Sequence, residues 1–158
     1  MANPVNRYAL VINGDNHHET RGVHLQRVEE SIEALQREGG FEISVASVQA
    51  PAGAVESFAP ATERGLERLI AGLERKIDEN DVLVVYVTGH GDKDNGGREC
   101  VGLADRQCLP LKSISERLQS LRYGQRIVVM DQCLGGGTLS LFANDRTHIV
   151  TASSKDAT

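Results

Sequence analysis

Five short runs of apolar, largely β-branched residues recur along this chain, with segments of helical periodicity between the first four. The runs are Tyr8–Asn13, Glu42–Val48, Val82–Thr88, Arg126–Asp131 and His148–Ala152. Each has the length of a strand, and the third and fourth are apolar almost without interruption, as in strands covered on both faces. Val28, Ile32 and Leu35 form a stripe within Arg21–Glu38, which stops at Gly39-Gly40, a C-cap signal. Leu66, Leu69, Ile70, Leu73 and Ile77 form a second stripe within Pro60–Glu79, with proline at the start. Leu111, Ile114, Leu118 and Leu121 mark a third helix opening at Pro110. Alternating strands and helices predict an α/β fold, a doubly wound three-layer α/β/α arrangement around a mostly parallel central sheet.

In such sheets, ligands and chemistry gather beyond the carboxyl ends of the strands. The segments to inspect are therefore Thr88–Asp92 and Asp131–Gly137, each directly after a strongly apolar strand. Gln49–Ala59 reads as a loop. Gly91–Gly97, with three glycines and two aspartates, reads as a flap beside the site.

The length of 158 residues suits one domain spanning 1–158. A net charge of −5 disfavours nucleic acid as a partner, since such binders need a basic face for counterion release. No stretch approaches the roughly 20 apolar residues that span a bilayer, so no membrane partner is expected. Met1–Asn6 lacks the basic flank and apolar run of an export signal. The three cysteines, Cys100, Cys108 and Cys133, are an odd number. Together these features predict free thiols in a reducing, cytoplasmic compartment, with Cys100 and Cys108 packed in the core.

His90 and Cys133 carry the chemistry in this reading. They lie 43 positions apart, each just past a buried strand, and meet if the two strands are neighbours. A thiol is a weak nucleophile until a base takes its proton, and imidazole is the side chain best matched to that task. Gly89 and Gly91 allow a sharp turn around His90, so the Gly91 and Cys133 amides form an expected oxyanion hole. Gly135-Gly136-Gly137 leaves room for a peptide main chain. Other chemistries lack their signatures. A tyrosine phosphatase needs Arg at position 139, which is Leu. There is no Gly-x-Ser-x-Gly elbow and no Gly-Lys-Ser/Thr phosphate loop. A flavodoxin-like binding module fits the fold but gives the His-Gly and Asp-Gln-Cys segments no purpose.

Val85-Tyr86-Val87-Thr88-Gly89-His90-Gly91-Asp92 resembles the histidine motif of the caspase, metacaspase and legumain peptidases, and Val128-Val129-Met130-Asp131-Gln132-Cys133-Leu134-Gly135-Gly136 is similar to their cysteine motif. The resemblance implies a caspase-like fold and a cysteine endopeptidase with a Cys133–His90 dyad acting on protein or peptide substrates. Its alternative is a catalytically inactive scaffold or regulatory module. Position 131 is Asp where caspases have Gln, and position 132 is Gln where they have Ala. Metacaspases carry Asp at that first place, which implies that Asp131 favours Arg or Lys before the scissile bond. Arg21, like an arginine of legumain, would push the same pocket away from basic residues. Ser153 and Ser154 resemble residues that wall this pocket. Family members continue into a sixth strand, so the resemblance implies a fragment or large subunit completed by a second chain or domain, or an incomplete pocket.

No cofactor is expected. His17 and His18, near Asp15 and Glu19, have poor spacing for zinc and read as a loop, with Asp15 and Asn16 at the edge of the site. Asp92, Asp94 and Asp105 are candidates for calcium only by analogy with some metacaspases.

Overall fold

A computed structural model of the chain describes residues 4–15, 17, 19–133 and 135–152, the side chain of Arg21 excepted. In chain order the elements are β1 (Arg7–Asn13), α1 (Arg21–Glu38), β2 (Phe41–Ser47), β3 (Ser57–Pro60), α2 (Glu63–Glu74), β4 (Val82–Thr88), β5 (Gly91–Lys93), β6 (Glu99–Gly102), β7 (Cys108–Pro110), α3 (Leu111–Leu118), β8 (Gln125–Asp131), α4 (Thr138–Phe142) and β9 (Thr147–Thr151). Six strands form one sheet in the order β3-β2-β1-β4-β8-β9, every neighbouring pair parallel.

The period-two alternation of β1 sorts its side chains into two cores. Tyr8, Leu10 and Ile12 join Leu66, Leu69 and Leu73 of α2, Leu111, Ile114 and Leu118 of α3, and Phe142 of α4. Ala9 and Val11 join Val28 and Ile32 of α1 with Ile43 and Val45 of β2. Helices therefore cover both faces, giving the expected α/β/α layers. The second face is thinner: among the described residues only α1 lies on it, and Val84 and Tyr86 of β4 stay half-buried there. The register pairs Asn13 of β1 with Thr88 of β4, and Thr88 with Asp131 of β8. Three strands thus end level, and the segments following them share one rim.

Several expectations need correction. The segment 49–59 is not wholly loop, because Ser57–Pro60 forms edge strand β3 beside β2. Proline is tolerated at such an edge, where its missing N–H breaks no ladder. The second helix starts after Pro60, at Glu63, where Thr62 accepts a hydrogen bond from the Gly65 N–H at 3.0 Å. It ends at Glu74, with Ile77 buried beyond it. Pro110 precedes α3 as expected, but Leu121 lies outside that helix. The expected flap is anchored at its start, as β5 pairs antiparallel with β6 in a small sheet with β7. Val101, Leu103 and Leu109 tie this sheet to the larger core.

Cys100 and Cys108 form a disulfide across β6 and β7. This corrects the expectation of two free core thiols. Antiparallel pairing brings together cysteines whose separation of eight is uninformative by itself. Disulfides persist in oxidising surroundings, so the cysteine count no longer argues for a reducing compartment. Among the described residues no helix is long and apolar enough to cross a membrane.

Candidate active site

The rim formed by β1, β4 and β8 carries a cavity of about 250 Å³ lined by His24, Arg27, Gly89, His90, Asp131, Gln132, Cys133 and Ala152. His90 and Cys133 share this cavity because β4 and β8 are adjacent and parallel. Cys133 is a free, half-buried thiol.

Two glycines let the loops close. Gly89 has φ of +130°, and a Cβ there would lie 3.0 Å from the backbone of Gly14 and Asp15. A Cβ on Gly91 would fall 1.9 Å from the Cys133 carbonyl oxygen, so the His90 loop rests directly against the cysteine backbone. The His90 carbonyl accepts from the Gly102 N–H at 3.1 Å, which fixes the loop to β6. Gly135–Gly137 form a single 3-10 turn. A Cβ on Gly135 would press on Met130, and one on Gly137 would collide with the Glu99 carboxylate. These two glycines serve internal packing.

Around His90 the β1–α1 connection supplies a polar cluster. Thr20 Oγ1 lies 2.8 Å from His90 Nε2 and donates to Asp15 Oδ1 at 3.2 Å. Asp15 is fully buried, and Oδ1 also accepts the His17 N–H at 2.9 Å. Its Oδ2 is buried without a hydrogen-bond partner among the described residues. The His17 and His24 rings meet His90 edge-on, with centroids at 4.5 and 5.4 Å. His24 Nδ1 lies 3.0 Å from Thr88 Oγ1. Burial holds His24 below the ordinary imidazole range, against the opposing pull of Asp15.

Asp131 also lines the cavity. It receives the Tyr86 hydroxyl at 2.8 Å, and Arg27 Nη1 reaches both carboxylate oxygens at 3.3 and 3.2 Å. Burial, and then donation to Asp131, push the Tyr86 phenol upward. The acid expected to face a basic substrate side chain is therefore engaged by an arginine of its own chain. The side chain of Arg21, and Ser153 and Ser154, lie outside what is described, as do Asn16 and His18.

Thr20, His24 and Arg27 were not foreseen. Their spacing carried a signal: 20, 24 and 27 share one helical face, and His24 extends the stripe of Val28, Ile32 and Leu35. Asp94 is taken up by Arg98 and the Gly96 N–H, which lower its carboxyl pKa. Among the described residues no group of three or more His, Cys, Asp or Glu is placed to hold a metal ion.

Comparison with known proteins fits this geometry. Metacaspase-4 of Arabidopsis thaliana is 29% identical over 94 residues, which cover 53% of this chain and 22% of that protein. The chain thus spans about a fifth of the length of that curated relative. The model of the peptidase C13 family matches residues 67–158, from α2 through both rim loops. With more than half of its length in that match, the chain belongs to the peptidase C13 family.

Proposed function

We propose that the chain is a cysteine-type endopeptidase core in which Cys133 is the nucleophile and His90 its base. The observation that carries this reading is the shared cavity at the ends of two adjacent parallel strands, with the Gly91 backbone against that of Cys133. Cys133 Sγ attacks the peptide carbonyl as His90 takes the thiol proton. The Gly91 and Cys133 amides hold the oxyanion. His90 then gives its proton to the leaving amine, and water releases the acyl group. Substrates are proteins or peptides, as membership of a peptidase family implies.

For specificity, Asp131 supplies an acid suited to Arg or Lys preceding the scissile bond, through a charge-assisted hydrogen bond. Such a residue would compete with Arg27 for it. Profiling a peptide library with the wild-type chain and with Cys133→Ala, His90→Ala and Asp131→Ala tests both levels. Cleavage that disappears in the first two variants is expected; substantial turnover in either refutes the dyad. An unchanged residue preference in Asp131→Ala removes Asp131 from the specificity pocket. A native chain that binds peptides without cleaving them, or whose Cys133 ignores thiol probes, is instead the inactive scaffold.

A further inference from the structure

We infer that Asp15 and Thr20 are positioning residues that hold the His90 ring with its proton on Nε2 and leave Nδ1 as the basic nitrogen. The inference deepens the peptidase reading and rests on it for its kinetic consequence; the ring orientation stands separately.

The reasoning is a count of hydrogens. Thr20 has one hydroxyl proton, and it goes to Asp15 Oδ1. A carboxylate has only acceptors to offer, so Asp15 cannot reverse that bond. The Thr20 oxygen, 2.8 Å from His90 Nε2, is then left as an acceptor, and Nε2 must donate to it. The chain Nε2–H to Thr20 to Asp15 runs in one direction only. In the proposed reaction the Cys133 proton moves to Nδ1, giving an imidazolium whose Nε2–H still points at Thr20. The Nδ1 proton then passes to the leaving amine, and the neutral ring returns with its original tautomer.

Asp15 Oδ1 itself lies 3.9 Å from Nε2. Its unpartnered, fully buried Oδ2 is the second observation. Buried polar atoms nearly always find partners, and leaving a carboxylate oxygen without one is costly for a residue that only braces a loop. The aspartate also needs no rearrangement to act, because the His17 N–H fixes Oδ1 at 2.9 Å.

The test uses Thr20→Val, Thr20→Ser and Asp15→Asn, each read by nitrogen-detected and imidazole-proton NMR and by steady-state cleavage. The NMR is done on a Cys133→Ser background, where no thiolate pairs with the ring; His90 signals are assigned by their loss in His90→Gln. The unsubstituted background should show His90 protonated at Nε2, with a slowly exchanging proton. Thr20→Val should lose that proton resonance and, in the Cys133 enzyme, lower kcat by on the order of 10²-fold with KM little changed. Thr20→Ser should restore both. Asp15→Asn keeps an oxygen for Thr20 but removes the charge, so the resonance should persist while kcat falls on the order of tenfold. A ring protonated at Nδ1, or an Nε2 resonance indifferent to Thr20→Val, overturns the inference whatever the enzyme assay shows. The expected NMR pattern in a chain that cleaves no peptide overturns the peptidase reading and leaves the orientation standing. Thr20 makes no side-chain cap bond to α1, so the Thr20 pair remains readable even if Asp15→Asn does not fold.

Discussion

Two fully buried aspartates sit at opposite ends of the same sheet, and they are satisfied very differently. Asp81 lies at the amino end, just before β4. Its Oδ1 accepts the Asn6 N–H at 2.8 Å and its Oδ2 the Asp78 N–H at 2.9 Å, while its carbonyl takes the Gly124 and Gln125 amides. It fastens the approaches to β1, β4 and β8 together and leaves no oxygen unused. Asp15, at the carboxyl end, gathers its bonds on one oxygen and leaves the other without a partner. The amino rim spends its polar groups on stability. The carboxyl rim holds some in reserve, which is how proteins equip reactive sites.

Substitutions at the two rims should separate activity from stability. The largest effect is expected from Cys133→Ala or His90→Ala: kcat/KM falling by more than about 10³-fold with the thermal midpoint nearly unchanged, read by peptide cleavage and calorimetry. Collapse of the midpoint in either would blur the contrast between the rims. Gly91→Ala comes next. Its new methyl must displace the Cys133 carbonyl, so activity should drop by on the order of 10²-fold while circular dichroism stays native. Asp81→Ala should do the opposite, costing about 3 kcal/mol of unfolding free energy from two lost carboxylate hydrogen bonds. Its kcat per folded molecule should hold, and a denaturant titration beside an active-site count checks both.

Arg27→Ala frees Asp131 from its ion pair. Turnover of peptides with Arg or Lys before the scissile bond should then rise several-fold relative to neutral ones. No change in that ratio would show that the pair does not govern access to the acid. The smallest effect concerns His24. Its folded pKa lies below the unfolded value near 6.5, so the unfolded chain takes up a proton first as pH falls. Its contribution is complete above about pH 6.5 and declines below that. Asp15, His90, Arg27 and Asp131 are the charged or titratable groups acting on it. His24→Gln should flatten the fall of the thermal midpoint between roughly pH 6.5 and 5, and an unaltered slope would mean that other groups dominate it.

Much of the fold was legible because its signals are local. β4 matches the predicted run, α1 matches from Arg21 to Glu38, and β1, β2, β8 and β9 differ by a residue at their ends. β3 escaped notice because four residues ending in proline carry almost no periodicity. The Cys100–Cys108 bond escaped because the pairing of β6 with β7 sets it, not the spacing of the cysteines.

The sequence by itself determined the layered α/β fold and the two rim segments that hold His90 and Cys133. An apolar strand announces itself through its own side chains, and topology dictates where such strands end. Only the tertiary structure decided what touches those residues. Thr20 meets His90 across 70 positions and Arg27 meets Asp131 across 104, through loops whose approach depends on strand register and on glycines at 89 and 91. Those partnerships arise when separate segments close on one another, so no window of sequence contains them.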